Sequence, residues 1–130
     1  MSPLPITLAT ASVLALFALV LAFRVSLGRM KHKVSTGDGG NIEMNIRVRS
    51  HANFVEYVPL LLILMALLEA AHTNAVFLEI FGAAVILSRL LHAIGMPRKA
   101  PNPYRAIGSL ASYALLAIGA LTGLVKVMAG

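Results

Sequence analysis

Four stretches of about 20 residues carry almost no charge, and that length is what a helix needs to cross a bilayer. They run over residues 4–22, 52–71, 75–94 and 106–125. The first holds no charged residue, and the fourth meets none before Lys126. The second is interrupted by Asn53, Glu56 and Pro59, and the third by Glu79 and Arg89. Composition agrees with a membrane chain: 58% of the 130 residues are apolar and 12% are charged. Soluble domains average about 45–50% apolar and about 25% charged, so the polar residues here are too few to coat one. Mean hydropathy is +0.84. Period-2 alternation is missing and Ala and Leu abound, which excludes strands and an outer-membrane barrel. The expected fold is an all-α membrane protein, one domain over residues 1–130, with spans at about 4–27, 45–71, 75–95 and 104–126.

The connections differ in kind. The first, over residues 28–44, is polar and contains the turn string Gly37-Asp38-Gly39-Gly40. The second is only His72-Thr73-Asn74, so spans two and three form a tight antiparallel pair. The third, over residues 95–103, contains Pro97, Pro101 and Pro103 and is expected to be irregular. With no cysteine there is no disulfide, thiolate metal site or Cys nucleophile, and no metal set is expected.

The net charge is +6 and the pI about 10.4. Ten of the eleven Lys and Arg residues flank connections one and three, and none flanks the second. By the positive-inside rule connections one and three are cytoplasmic, so both termini lie outside the cytoplasm. No basic stretch precedes the first span, which marks it as retained rather than as a cleaved signal. Topology thus absorbs the positive charge, and nucleic acid is not an expected partner.

Polar residues inside the spans mark a candidate site, because each ionisable group there costs about 2.5–3.5 kcal/mol on insertion scales. On a helix, Asn53 lies about 40° and Glu56 about −20° from Arg49, whereas Arg47 lies about 160° away. Arg89 and His92, three apart, share a face of span three. Arg29 ends span one and Arg105 begins span four. The topology brings Arg29, Arg49, Asn53, Glu56, Arg89, His92 and Arg105 to one depth on the cytoplasmic side. Glu69, His72, Glu79 and Lys126 are scattered at the opposite ends. Arg24, Lys31, Lys33, Arg98 and Lys99 read as interface charges that set topology. Four arginines against one carboxylate leave an anion missing, and Arg binds carboxylates bidentately. The ligand implied is multiply carboxylated or phosphorylated, and a lipid headgroup fits as well. Ties between helices, a small four-span transporter and a non-catalytic lipid- or anion-binding scaffold remain alternatives at this point.

The string Arg49-Ser-His-Ala-Asn53-Phe-Val-Glu56-Tyr-Val-Pro59 resembles the signature of the MAPEG superfamily, membrane-associated proteins in eicosanoid and glutathione metabolism. Arg89-Leu-Leu-His92-Ala-Ile-Gly95, Arg105-Ala-Ile-Gly108 and the basic Arg29-Met-Lys-His-Lys33 are similar to further segments of that family. The resemblance, closest to the short bacterial branch, covers nearly the whole chain. It implies a left-handed four-helix bundle in a bacterial inner membrane, assembled as a homotrimer with glutathione between subunits. It also implies a glutathione transferase or peroxidase acting on lipophilic electrophiles through an arginine-stabilised thiolate. Arg29, Arg49, Asn53, Glu56, His92 and Arg105 fall on positions that bind glutathione in family members, and Arg105 on the arginine that stabilises the thiolate. The chain departs from eukaryotic members at Ala52, where they carry a second arginine, and at Ala106, where they carry a serine. It departs again at Ser109, where they carry a tyrosine, so Ser109 becomes the hydroxyl expected beside Arg105. The pairs Gly108/Ser112 and Gly119/Gly123 are small-xxx-small patterns and predict close helix approach, read here as trimer packing.

Overall fold

The computed structural model describes residues 1–130 and contains four helices with no strand: α1 (Pro5–His32), α2 (Ile42–Ala70), α3 (Ala75–Gly95) and α4 (Pro103–Ala129). All four are long and apolar enough to cross a membrane. Where α1 and α2 run beyond their apolar stretches, the cause is local. Helix α1 continues past residue 27 to His32, where Arg29, Lys31 and His32 sit in its last turn against the negative end of the helix dipole. Helix α2 starts three residues before the expected 45. The Asn41 side chain accepts from Met44 N at 2.9 Å as its cap, and Glu43 pairs with Arg47 one turn on at 2.8 Å. Asn74 and Asn102 cap α3 and α4 in the same way, accepting from Phe77 N and Arg105 N. Helix α2 contains Pro59 without ending there.

In the first connection Gly37, Gly39 and Gly40 all take left-handed backbone angles, which suits residues without a Cβ. Asp38 accepts from Gly40 N–H at 2.9 Å and from the Asn45 side chain at 2.7 Å. Those two bonds hold its carboxyl below the usual carboxylate range.

Helices α2 and α3 form the centre. Helices α1 and α4 each pack on both of them and share no contact with one another. The core draws on all four: Leu14 and Leu21, Val58, Leu61 and Met65, Leu78, Phe81 and Val85, and Leu115. Phe17 of α1 meets Phe54 of α2 edge to face, with ring centroids 5.5 Å apart. Only 25 of the 130 residues are buried, and Leu, Ile and Val crowd the outer faces. In a membrane lipid chains solvate such faces, so packing rather than water exclusion holds the helices together.

Small residues provide that packing. A Cβ on Gly82 would meet Thr10 Oγ1 at 2.5 Å, so α1 and α3 touch there. A Cβ on Gly108 would meet His92 N at 2.6 Å and Ser88 O at 2.7 Å. This changes the reading of the small-residue pairs: Gly108 and Ser112 serve the α3–α4 contact within the chain. Gly119 faces Phe81 and Leu64 of the same chain, and Gly123 alone has open space beside it. At the opposite end of the bundle, Glu69 of α2 accepts from Ile6 N at 2.9 Å and Thr7 N at 2.7 Å. A side chain more than sixty residues away therefore satisfies the first-turn donors of α1.

Candidate functional site

The ends of α2, α3 and α4 that lie together enclose a cleft of about 400 Å³. One face comes from the first turns of α2, through Ile42, Asn45, Ile46, Arg49 and Asn53. The opposite face comes from His92 of α3, from Met96 to Ala100 of the third connection, and from Arg105 of α4.

Local chemistry fixes how these parts meet. The backbone of Arg105 lies so close to Gly95 that a Cβ there would collide with it. Asn102 reinforces that approach, since its Nδ2 donates to Gly95 O at 3.0 Å while its Oδ1 caps α4 through Arg105 N at 3.0 Å. One side chain thus ties the last turn of α3 to the first turn of α4. Arg105 is set beside His92 as a result, and both line the cleft. The connection folds back far enough to bring Arg98 and Lys99 into the wall. Arg98 also lies over the Tyr104 ring at 4.5 Å, a cation–π contact that restrains it.

The expected Arg49 stripe is present on α2. Arg49 Nη1 lies 3.5 Å from Glu56 Oε1, seven residues and two turns further on, and both side chains are about half exposed. An exposed pair of this kind contributes roughly 0–1 kcal/mol, so it does little for the fold. Arg47 faces away, donating to Arg24 O at 2.8 Å and to Glu43 at 2.8 Å.

Four basic side chains line the cleft, Arg49, Arg98, Lys99 and Arg105, together with His92 and the amides of Asn45 and Asn53. No carboxylate lines it. Such a wall attracts anions, and its planar guanidinium groups match carboxylate or phosphate.

The other expected site residues sit elsewhere. Arg29 donates to Gly37 O at 2.8 Å and holds the first connection rather than lining the cleft. Glu56 reaches the cleft only through Arg49. Ser109 lies with Arg105, Ala106 and Asn102 along a smaller hollow of about 280 Å³ on α4. Arg89 is 1% exposed and does not line the cleft. Its Nη2 donates to Asn53 Oδ1 and its Nη1 to Ser112 Oγ at 3.0 Å, joining α3 to α2 and α4.

Asn45, Arg98, Lys99 and Ser112 are additions to the expected set. Ser112 is fully buried. A hydroxyl one turn from a glycine in an apolar helix signalled close packing in the sequence, and gave no sign of its arginine partner.

The model of the MAPEG family matches residues 7–125, from the first turn of α1 to the last turns of α4. The chain is also similar to the inner membrane protein YecN of Escherichia coli K12, with 31% identity over 110 residues, 85% of this chain and 83% of that protein. The YecN protein of Escherichia coli O6:H1 strain CFT073 matches to the same extent. Four helices of membrane-spanning length agree with that match, and the chain belongs to the MAPEG family as an integral membrane protein with four helical spans.

Proposed function

We propose that this protein binds glutathione in the cleft between α2, α3 and α4, on the cytoplasmic side of a bacterial inner membrane, and acts as a membrane glutathione transferase. The observation that carries the reading is the wall of Arg49, Arg98, Lys99, Arg105 and His92 with no carboxylate among its lining residues. Glutathione fits that wall chemically. Its two carboxylates match the guanidinium and ammonium groups, and its ammonium suits Glu56, held beside the cleft by Arg49. The family and the inner-membrane location of the YecN relatives support the same reading.

When bound, glutathione supplies a thiol, of pKa about 8.5 when free, whose deprotonated form is the nucleophile. The residues of the chain determine how much of that form is present. Arg105 carries a permanent charge at the cleft wall, and a cation beside sulfur favours the anion. Ser109 borders the same arginine and offers a neutral hydroxyl, a weaker stabiliser of an anion than a charged donor. Arg49, Arg98 and Lys99 hold the carboxylates, and the surrounding helices admit lipophilic electrophiles from the bilayer. Lipophilic peroxides are the second class of electrophile this thiolate suits. The working assembly in this reading is a homotrimer, in which the exposed apolar faces and the Arg49–Glu56 stripe meet neighbouring subunits.

The test is calorimetric titration of detergent-purified protein with glutathione, followed by a pH titration of the ultraviolet absorbance of the bound thiolate. Saturable binding and a thiolate midpoint below that of free glutathione are expected. Arg105→Leu should raise the midpoint, and Ser109→Ala should move it less. Absence of binding at millimolar glutathione refutes the reading. A midpoint unchanged by Arg105→Leu with glutathione still bound removes Arg105 from the chemistry and leaves a non-catalytic binding protein.

A further inference from the structure

The cleft is backed by a charge that the wall itself does not contain. Arg89 is 1% exposed, and no carboxylate forms an ion pair with it. Its guanidinium can only donate. Ser112 Oγ gives its own hydrogen to Gly108 O at 3.0 Å, so toward Arg89 Nη1 it acts as the acceptor. Arg89 Nη2 takes Asn53 Oδ1, and the Nε of Arg89 has no partner.

This arrangement decides which end of the Asn53 amide faces where. An asparagine is ambivalent, with one acceptor oxygen and a two-hydrogen donor nitrogen. A donor-only neighbour removes the ambiguity, because only Oδ1 can face it. Asn53 lines the cleft, and its Nδ2 makes no hydrogen bond within the chain. We infer that Arg89 is a positioning residue that locks Asn53 with its NH2 group toward the cleft, making that amide a dedicated donor to the bound anion. The inference rests on the anion-binding reading of the cleft given above.

Two physical effects follow from the same bond. Pulling density toward Oδ1 polarises the amide and makes its N–H groups better donors. The buried guanidinium also adds positive potential behind Asn53, in surroundings that screen it poorly. Arg89 therefore acts on the ligand through Asn53, without reaching the cleft.

A double-mutant cycle separates this role from a merely structural one. Arg89→Met keeps volume while removing the donors, and Asn53→Ala removes the amide. Affinity for glutathione, and separately for sulfate alone, is measured by calorimetry in the four proteins. Arg89→Met should weaken binding about tenfold when Asn53 is present and less than about twofold when it is Ala. Equal losses in both backgrounds overturn the inference. A ligand-free readout runs beside it, with protein labelled with 15N at asparagine and the Asn53 side-chain signals assigned through Asn53→Ala. Arg89→Met should move those signals, and an unmoved pair overturns the inference. Where Arg89→Met does not fold, Arg89→Lys enters the same cycle and should lose less affinity than removal of the amide. Coupled losses with sulfate in a protein that ignores glutathione refute the glutathione reading and support the role of Arg89.

Discussion

Substituting Gly108 by alanine tests how the fold holds the site. The added Cβ would stand 2.6 Å from His92 N, 2.7 Å from Ser88 O and 2.8 Å from His92 Cα. All three are backbone atoms of α3, so no rotamer change relieves the clash. To open the closest contact to about 3.4 Å, α4 must withdraw by about 0.8 Å. Ser112 lies one turn along the same helix, and its 3.0 Å bond to Arg89 stretches past hydrogen-bond range with that shift. Overpacking costs about 1–3 kcal/mol. A weakened bond to a buried charged donor adds to that, and the better helix propensity of alanine returns about 1 kcal/mol. The net expectation is a loss of about 1–3 kcal/mol, with weaker anion binding because Arg105 moves with α4. Gly123→Ala is the matched control, since a Cβ there meets nothing within 4 Å. Reversible unfolding in mixed micelles by a denaturing detergent, followed by circular dichroism, measures both. Equal stability of Gly108→Ala and Gly123→Ala would refute the reasoning, because only the α3 backbone distinguishes the two positions.

Glu69→Ala should destabilise the protein by about 1–3 kcal/mol in the same assay, since Ile6 N and Thr7 N lose a charged acceptor at the start of α1. Glu69→Gln, which keeps one carbonyl oxygen, should lose about half as much, and a Gln variant as unstable as Ala would count against the capping role. Arg49→Ala should weaken glutathione binding by roughly 1.5–3 kcal/mol, the range for hydrogen bonds to charged groups, while Arg47→Ala should leave it nearly unchanged. Equal calorimetric losses at the two positions, with the fold intact, would remove the Arg49 stripe from the site. Cysteines introduced at Gly39 and Asn102 should resist impermeant thiol reagents applied to intact cells, and one at Thr73 should react. The opposite labelling pattern would invert the proposed orientation.

The parts of this fold that the sequence made legible are those decided within one helix. Apolar length alone predicts the four spans, and helical periodicity alone predicts that Arg49 and Glu56 share a stripe that excludes Arg47. What the sequence hid depends on where one segment meets another. Arg98 and Lys99 read as interface charges that set topology. They line the cleft because Asn102 bonds back to Gly95 O and folds the connection over the helix ends. Glu69 read only as one of four residues scattered at the opposite ends of the spans, because its partners are sixty-two and sixty-three positions away. The same limit explains Arg89. Its spacing from His92 places both on one face of α3, and that face is broad enough to touch two different surroundings. His92 stands at the level of Arg105, where the helix ends open into the cleft. Arg89, one turn deeper, meets the carbonyl of Asn53 and the hydroxyl of Ser112, both acceptors, at the crossing that Gly108 permits. A donor-only side chain at that depth needs acceptors more than it needs a ligand, because an unmet buried charge costs more than an unmet exposed one. Depth along the helix therefore separates cleft lining from structural support on this face, and the small residue on α4 sets where the change occurs.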